Sequence, residues 1–257
     1  MGTPDAVLQT SLKSRIALVV GGTAGIGRAT AVLFAECGAT VIISGRNKDA
    51  GQDVVRDITG AGGSASFIRA DVTDIGSIES LIQELVAKHG RLDIAFNNAG
   101  REVPYLRVAE IAESEFQSML NLKLIGVWRC MKFELAQMVR QKHGVIVNMA
   151  GNWGLKGAPG YSSYCAAAHG IMGLTRTAAM EYGKDNIRVN AVCPGAVDTA
   201  LLDRMVGGSE DMKKALAKTI PMGRLAKPED IAQTVLWLCS DGASYITGQG
   251  IALAGGE

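Results

Sequence analysis

Short apolar runs alternate along the chain with longer stretches in which apolar positions recur every three or four residues. The longer stretches, at about 25–37, 48–59, 77–90, 114–142 and 160–182, predict amphipathic helices. Seven runs predict strands: RIALVV, TVIISG, ASFIRA, LDIAFNNAG, GVIVNMA, IRVNAVCPG and GQGIALAGG. Strands that alternate with helices form a parallel sheet covered on both faces. We therefore predict a single α/β domain over residues 1–257, with a doubly wound parallel sheet of about seven strands and helices on both faces.

The least regular part of the chain is residues 195–228, which follow the predicted sixth strand. Ligands bind at the carboxyl ends of strands in such sheets, so this segment is predicted to be a substrate loop. Its apolar residues, among them Leu201, Leu202, Met205 and Met222, favour a lid over a fairly apolar substrate. Ordinary packing of a loop and short helices onto the core explains them equally well.

Composition and charge exclude several kinds of partner. The net charge is +1 and the sequence has no long basic run, which argues against nucleic acid and anionic membranes as partners. No apolar run approaches the roughly 20 residues that span a bilayer, and residues 1–14 lack an apolar signal core, so we expect a cytoplasmic protein. Five cysteines without a CxxC pair and three scattered histidines indicate no metal site.

A glycine-rich stretch, VVGGTAGIGRAT, follows the first predicted strand and opens the first helix. Glycines at this spacing let the chain turn tightly and approach a pyrophosphate, which then faces the helix N-terminus. The stretch predicts dinucleotide binding and makes the fold Rossmann-type. The predicted contacts in this turn are Gly21, Thr23, Gly25, Ile26 and Gly27.

The end of the second predicted strand, ISGRN, bears on which dinucleotide binds. An acidic residue there would hold the ribose diol and repel a 2′-phosphate, and none is present. Arg46 is suited to contact a phosphate, with Ser44 nearby. NADP(H) is therefore the preferred prediction. NAD(H) stays possible, with Arg46 as a solvated surface side chain.

Together with NNAG at 97–100, ADVTD at 70–74 and NAVCPGAVDT at 190–199, this turn resembles the short-chain dehydrogenase/reductase family over nearly the whole chain. The resemblance implies a small-molecule carbonyl or alcohol substrate and a homotetramer or homodimer. It also implies adenine contacts from Asp71 and Val72, cofactor contacts from Asn98, Ala99 and Gly100, and a nicotinamide enclosure formed by Pro194, Gly195 and Thr199.

Catalysis in the family that this chain resembles uses an Asn, a Ser, a Tyr and a Lys. The tyrosine transfers the proton, the lysine assists it and holds the ribose, and the serine orients the carbonyl oxygen. The resemblance places the asparagine at Asn121 and the tyrosine at Tyr164. Gly151 stands at the serine position, and Ala168 stands at the lysine position four residues after the tyrosine. Two of the four groups are therefore absent.

Nearby residues are poor substitutes by position alone. Lys156 lies in a predicted loop, and His169 lies about 100° further round the helix than Ala168. General acid–base groups contribute roughly 10²–10⁴-fold in rate, so we expect an oxidoreductase of impaired activity. A cofactor-binding protein without turnover and a pocket repurposed for other chemistry are the alternatives.

Overall fold

The computed structural model describes residues 11–257; the first ten residues of the polar N-terminal segment lie outside the described range. Its seven strands are β1 (Ile16–Val20), β2 (Thr40–Gly45), β3 (Ser64–Arg69), β4 (Ile94–Asn97), β5 (Gly144–Met149), β6 (Ile187–Pro194) and β7 (Gly250–Leu253). They pair in parallel in the order β3-β2-β1-β4-β5-β6-β7. The predicted doubly wound parallel sheet of about seven strands is confirmed.

Helices cover both faces of this sheet, because successive side chains of each strand point to opposite sides. The helices are α1 (Gly25–Glu36), α2 (Lys48–Gly60), α3 (Ile75–His89), α4 (Glu113–Met119), α5 (Gly126–Gln141), α6 (Ser162–Tyr182), α7 (Ala200–Met205), α8 (Glu210–Thr219) and α9 (Pro228–Cys239). Leu18 and Val20 pack on one face against α3, α5 and α6, whereas Ala17 and Val19 pack on the other face with α1, α2 and α9.

The helical stretch predicted at 114–142 is not one regular helix. A π-helical segment, Leu120–Ile125, joins α4 to α5. A π-helix has an extra residue in its turn and is found frequently at functional sites. It changes which side chains of this stretch face the sheet.

Three further helices, all in the C-terminal part, were not predicted. The segment 195–228 contains α7 and α8. Helix α9 follows it, although its start carries a clear sequence signal: Pro228 is its first residue, and the Asp230 carboxylate accepts the Lys227 N–H at 2.8 Å. Ile231 and Val235 are fully buried against the sheet.

The order of the strands reverses between β1 and β4, which lie side by side with Val20 opposite Asn97. The carboxyl ends of β1, β2, β4, β5 and β6 therefore open on one edge of the sheet, where doubly wound folds bind ligands. Within residues 11–257, no helix is long and apolar enough to cross a membrane. The same residues include no group of three or more His, Cys, Asp or Glu side chains that could hold a metal ion.

Candidate active site

The glycine-rich turn between β1 and α1 leaves no room for a side chain at Gly21 or Gly27. A Cβ atom on Gly21, whose φ is +77°, would lie 2.9 Å from the backbone nitrogen of Ala99, and one on Gly27 would lie 2.1 Å from the Gly21 carbonyl oxygen. Helix α1 starts here, and Ala24 at its N-cap provides no side-chain hydrogen bond. The first amides of α1 are therefore available for an anion such as a pyrophosphate. This backbone surface, the glycine cradle (residues 21–27), fits a dinucleotide.

The residues that follow β4 contact the cradle directly. The Asn98 side-chain amide donates to the Gly21 carbonyl oxygen at 3.0 Å, and Ala99 lies against Gly21. Gly100 is exposed beside them. The structure thus brings the predicted cofactor residues of β1 and β4 together.

Two arginines lie at the ends of β2 and β3. Gly45 pairs in register with Arg69, and the Arg69 Nε–H donates to the Arg46 carbonyl oxygen at 3.2 Å. Both arginine side chains are exposed. Thr23 of the cradle adjoins Gly45, so the arginine pair lies at the β2 end of the cradle. Sequence reasoning found Arg46 but missed Arg69, because the pairing of β2 with β3 brings the second arginine in.

Ser44 differs from its predicted role as an accessible cofactor contact. Its side chain is fully buried, and its hydroxyl has no hydrogen-bond partner within residues 11–257. Its carbonyl oxygen accepts the N–H groups of Gly21 at 2.8 Å and Gly22 at 3.2 Å. Ser44 therefore holds the start of the cradle through its backbone.

The ADVTD stretch lies next to the arginine pair. Partial burial of Asp71 opposes its ionisation. Hydrogen bonds from the backbone and hydroxyl of Thr73, together with the charges of Arg46 and Arg69, nevertheless hold the pKa of Asp71 below its usual value. Val72 is buried against the first residue of α5, Gly126. Both residues are thus fixed beyond the end of β3.

The loop after β6 closes over the other end of the cradle. Gly195 donates its N–H to the Leu253 carbonyl oxygen at 3.1 Å, which ties the residue after Pro194 to β7. The methyl group of Thr199 would be 3.3 Å from a Cβ on Gly25. Thr199, at the start of α7, therefore lies against the start of α1, whereas Gly195 lies against β7 and Ala254.

The predicted catalytic tyrosine, Tyr164, belongs to α6, and its hydroxyl lies beside Gly151, just beyond the carboxyl end of β5. A Cβ built on Gly151 would be only 2.9 Å from the Tyr164 hydroxyl oxygen. Gly151 also has φ +87° and ψ 160°, a region that L-residues rarely adopt. A serine at this position would thus need a different backbone. Ala168 lies one helical turn after Tyr164 and is fully buried.

A lysine that sequence reasoning did not consider contacts Tyr164. Lys123 is 2% exposed, and its Nζ lies 4.4 Å from the centre of the Tyr164 ring. The same Nζ donates to the carbonyl oxygen of Met149, the last residue of β5, at 3.1 Å. Lys123 belongs to the π-helical segment.

Asn121, the predicted catalytic asparagine, is engaged elsewhere. Its side-chain oxygen accepts a hydrogen bond from Arg129 at 2.9 Å, and Arg129 also donates to the Val72 carbonyl oxygen at 3.0 Å. Side chains that are two positions apart on a helix point in directions that differ by roughly 200° around the helix axis. With Lys123 directed at Tyr164, Asn121 lies on the opposite side of the segment. The structure therefore assigns the inward position to Lys123.

The two neighbouring substitutes considered from sequence have other partners. His169 Nδ1 lies 3.0 Å from the Cys165 carbonyl oxygen on the exposed side of α6. Lys156 is half-exposed and pairs with the Glu257 carboxylate at 3.4 Å. Neither contact involves Tyr164.

An aromatic cluster borders Tyr164. The Trp153 ring meets Tyr164 edge-on at 5.2 Å between ring centres and stacks on Tyr161 at 4.2 Å. Tyr105 adds an edge-on contact to Tyr161 at 5.6 Å and is 65% exposed. These three residues, the aromatic wall (Trp153, Tyr161 and Tyr105), form an apolar border from the tyrosine to the surface.

A glycine cradle at the reversal of a parallel sheet, with a tyrosine at a neighbouring strand end, defines the class as a Rossmann-type oxidoreductase. Comparisons with known proteins make the assignment narrower. The profile of the family described as Enoyl-(Acyl carrier protein) reductase matches residues 21–257. The chain belongs to the short-chain dehydrogenase/reductase family.

Individual relatives agree with this assignment. The chain is 38% identical over 248 residues to 2,5-dichloro-2,5-cyclohexadiene-1,4-diol dehydrogenase of Sphingobium indicum, covering 96% of this chain and 98% of that protein. It is 37% identical to 3-oxoacyl-(acyl-carrier-protein) reductase of Thermotoga maritima, with 95% and 98% covered. The crystal structure of levodione reductase matches with a TM-score of 0.91 and 31% identity, covering 95% and 97%.

Proposed function

We propose that this protein transfers a hydride between NADP(H) and a carbonyl or secondary alcohol, with Tyr164 as the proton donor and acceptor. The observation that carries the proposal is the glycine cradle, which opens on the same sheet edge as the carboxyl end of β5, where the Tyr164 hydroxyl of α6 lies beside Gly151. NADP(H) would supply or accept the hydride. The cradle would hold its pyrophosphate, and the residues after β4 and β6 would enclose the rest of the cofactor.

The preference for NADP(H) over NAD(H) is supported by charge. Arg46 and Arg69 present two exposed guanidinium groups beside Gly45 and Thr23. Arginine contacts phosphate bidentately, so the pair suits a ribose 2′-phosphate. Asp71 is the acidic group whose ionisation is favoured by the charges of both arginines. Its carboxylate already accepts hydrogen bonds from Thr73. A dinucleotide with a 2′-phosphate is therefore favoured.

We further propose a ring-shaped, largely apolar substrate. The aromatic wall borders Tyr164, and flat rings pack well on aromatic faces. The relative from Sphingobium indicum has a cyclic diol in its name. The segment 195–228 is the proposed substrate loop of the single domain, and it would border the substrate on the side opposite the aromatic wall. The relative from Thermotoga maritima is named 3-oxoacyl-(acyl-carrier-protein) reductase, which makes an extended acyl substrate the competing possibility.

Gly151 provides no hydroxyl and Ala168 no ammonium, so we propose lower activity than in relatives that carry Ser and Lys there. These two residues also favour a second candidate, a protein that binds the cofactor without turnover. A repurposed active site is less favoured, because the glycine cradle is intact. Exposed aromatic residues such as Trp128, Trp237 and Tyr245 support the proposal that the chain forms a homodimer or homotetramer.

Two measurements test the proposal. Fluorescence titration with NADPH and NADH measures cofactor binding. Absorbance at 340 nm then measures turnover with cyclic ketones, cyclic alcohols and acyl thioesters, and Tyr164→Phe is the control that keeps the ring. Turnover that is lost in Tyr164→Phe supports the oxidoreductase. Binding without turnover on every substrate supports the second candidate, and no binding of either cofactor refutes both.

A further inference from the structure

The buried ammonium of Lys123 is unusual in its surroundings. An ammonium group has three N–H donors, and one of them is used, on the Met149 carbonyl oxygen. Within residues 11–257 the ammonium of Lys123 bonds to this backbone carbonyl and to no carboxylate, although its side chain is only 2% exposed. Burying a charge without an opposite charge is costly. Such a costly arrangement calls for a compensating role.

Among the described residues, the aromatic face that Lys123 contacts is that of Tyr164. At 4.4 Å from the ring centre, the positive charge lies within the range of a cation–π contact with the electron-rich ring of Tyr164. The titratable neighbour on β6 is Cys193. Burial raises the pKa of this thiol to about 11, against the lowering effect of Lys123 and Arg176, so the thiol stays neutral at ordinary pH. Tyr164 is thus the group on which the charge acts.

One explanation accounts for both the lysine at position 123 and the small residue at position 168. Helix α6 packs against the π-helical segment, so a lysine at position 168 and Lys123 would direct two ammonium groups toward the same tyrosine. Like charges at one site destabilise each other. The π-helical turn provides the cation from a different element, and α6 then carries a small residue at Ala168.

We propose that Lys123 is the positioning residue that supplies the positive charge to Tyr164, in place of a lysine on α6. In alcohol oxidation, Tyr164 accepts the hydroxyl proton of the substrate while the hydride leaves for the cofactor, and the ammonium of Lys123 stabilises the phenolate before that transfer. In carbonyl reduction the proton moves back from Tyr164 to the carbonyl oxygen. This inference rests on the proposed function, and it implies more activity than Ala168 alone suggests.

The test compares Lys123→Met, which removes the charge and the donors, with Lys123→Gln, which removes the charge but keeps a donor for Met149. Lys132→Met is the matched control, because Lys132 also lies over an aromatic ring, 5.5 Å from the centre of Trp128, but is exposed. We expect the rate of alcohol oxidation at pH 7 to fall about 100-fold in both Lys123 variants. The rate of the control variant should be unchanged. The loss should shrink toward pH 10, where a free tyrosine ionises without help.

Stability separates a functional role from a structural one. An unpaired buried charge destabilises the fold, so the melting temperature of Lys123→Met should equal or exceed that of the unaltered protein. Turnover of both Lys123 variants within about threefold of the unaltered protein overturns the inference alone. So does a loss in Lys123→Met that Lys123→Gln restores, or a loss that accompanies a lower melting temperature in both variants. Absence of turnover in the unaltered protein overturns the proposed function, and the inference with it.

Discussion

Glu134 provides a test of the electrostatics of the core. It lies on α5 with no exposed surface, and its Oε2 accepts the Asn97 side-chain N–H at 3.0 Å, whereas its Oε1 has no partner within residues 11–257. Burial raises the pKa of Glu134 from 4.5 to about 7, and the hydrogen bond from Asn97 opposes this only in part. The same Asn97 amide also donates to Asn148, whose amide donates to Thr175 on α6.

The sign of the effect follows from the raised pKa. The folded state holds the Glu134 proton more tightly than the unfolded state, so the stability linked to this group is fully present below about pH 4.5 and is lost as the pH rises through about 7. A difference of about 2.5 units corresponds to about 3 kcal/mol. The Glu134→Gln variant is neutral at every pH and keeps an acceptor for Asn97. We therefore expect it to be about 3 kcal/mol more stable than the unaltered protein at pH 8, and similarly stable at pH 4.5.

Urea unfolding followed by tryptophan fluorescence, at intervals from pH 4.5 to 8.5, measures this difference. The contributions of other titrating groups cancel when the free energy of unfolding of the unaltered protein is subtracted from that of the variant. Glu84→Gln is the control, since Glu84 is an exposed glutamate on α3, and its difference should stay near zero. A pH-independent difference for Glu134→Gln, or a variant that is less stable at pH 8, would refute the reasoning.

Three further predictions concern the site. Gly27→Ala should weaken NADPH binding in fluorescence titration by about tenfold or more, because its Cβ would lie 2.1 Å from the Gly21 carbonyl oxygen; Gly60→Ala, with open space around its Cβ, should bind NADPH normally. Arg46→Asp should weaken NADPH binding by about tenfold and strengthen NADH binding, and equal changes for both cofactors would contradict the proposed 2′-phosphate contact. Gly151→Ser should lower the free energy of unfolding by about 1–3 kcal/mol in urea, because of its φ of +87° and the nearby Tyr164 hydroxyl; unchanged stability would show that the backbone adapts without strain.

The sequence by itself was sufficient for the architecture. Strand and helix patterns are local, and the glycine spacing between β1 and α1 has a strong conformational meaning wherever it occurs. In the structure Asn98 and Ala99 of the β4 end lie against Gly21, and Thr199 of the loop after β6 lies against Gly25. The helix α9 was missed although its Pro228 and Asp230 indicated a start, because the segment before it lacks a regular pattern.

The surroundings of Tyr164 and of the arginine pair were decided by tertiary structure. Arg69 reaches Arg46 only through the register of β2 with β3, which no local pattern records. Asn121 and Lys123 are two positions apart, and the family resemblance of the sequence placed the catalytic residue at the asparagine. The π-helical segment determines which of them faces Tyr164, because a single added residue in a helical turn rotates every later side chain relative to the sheet.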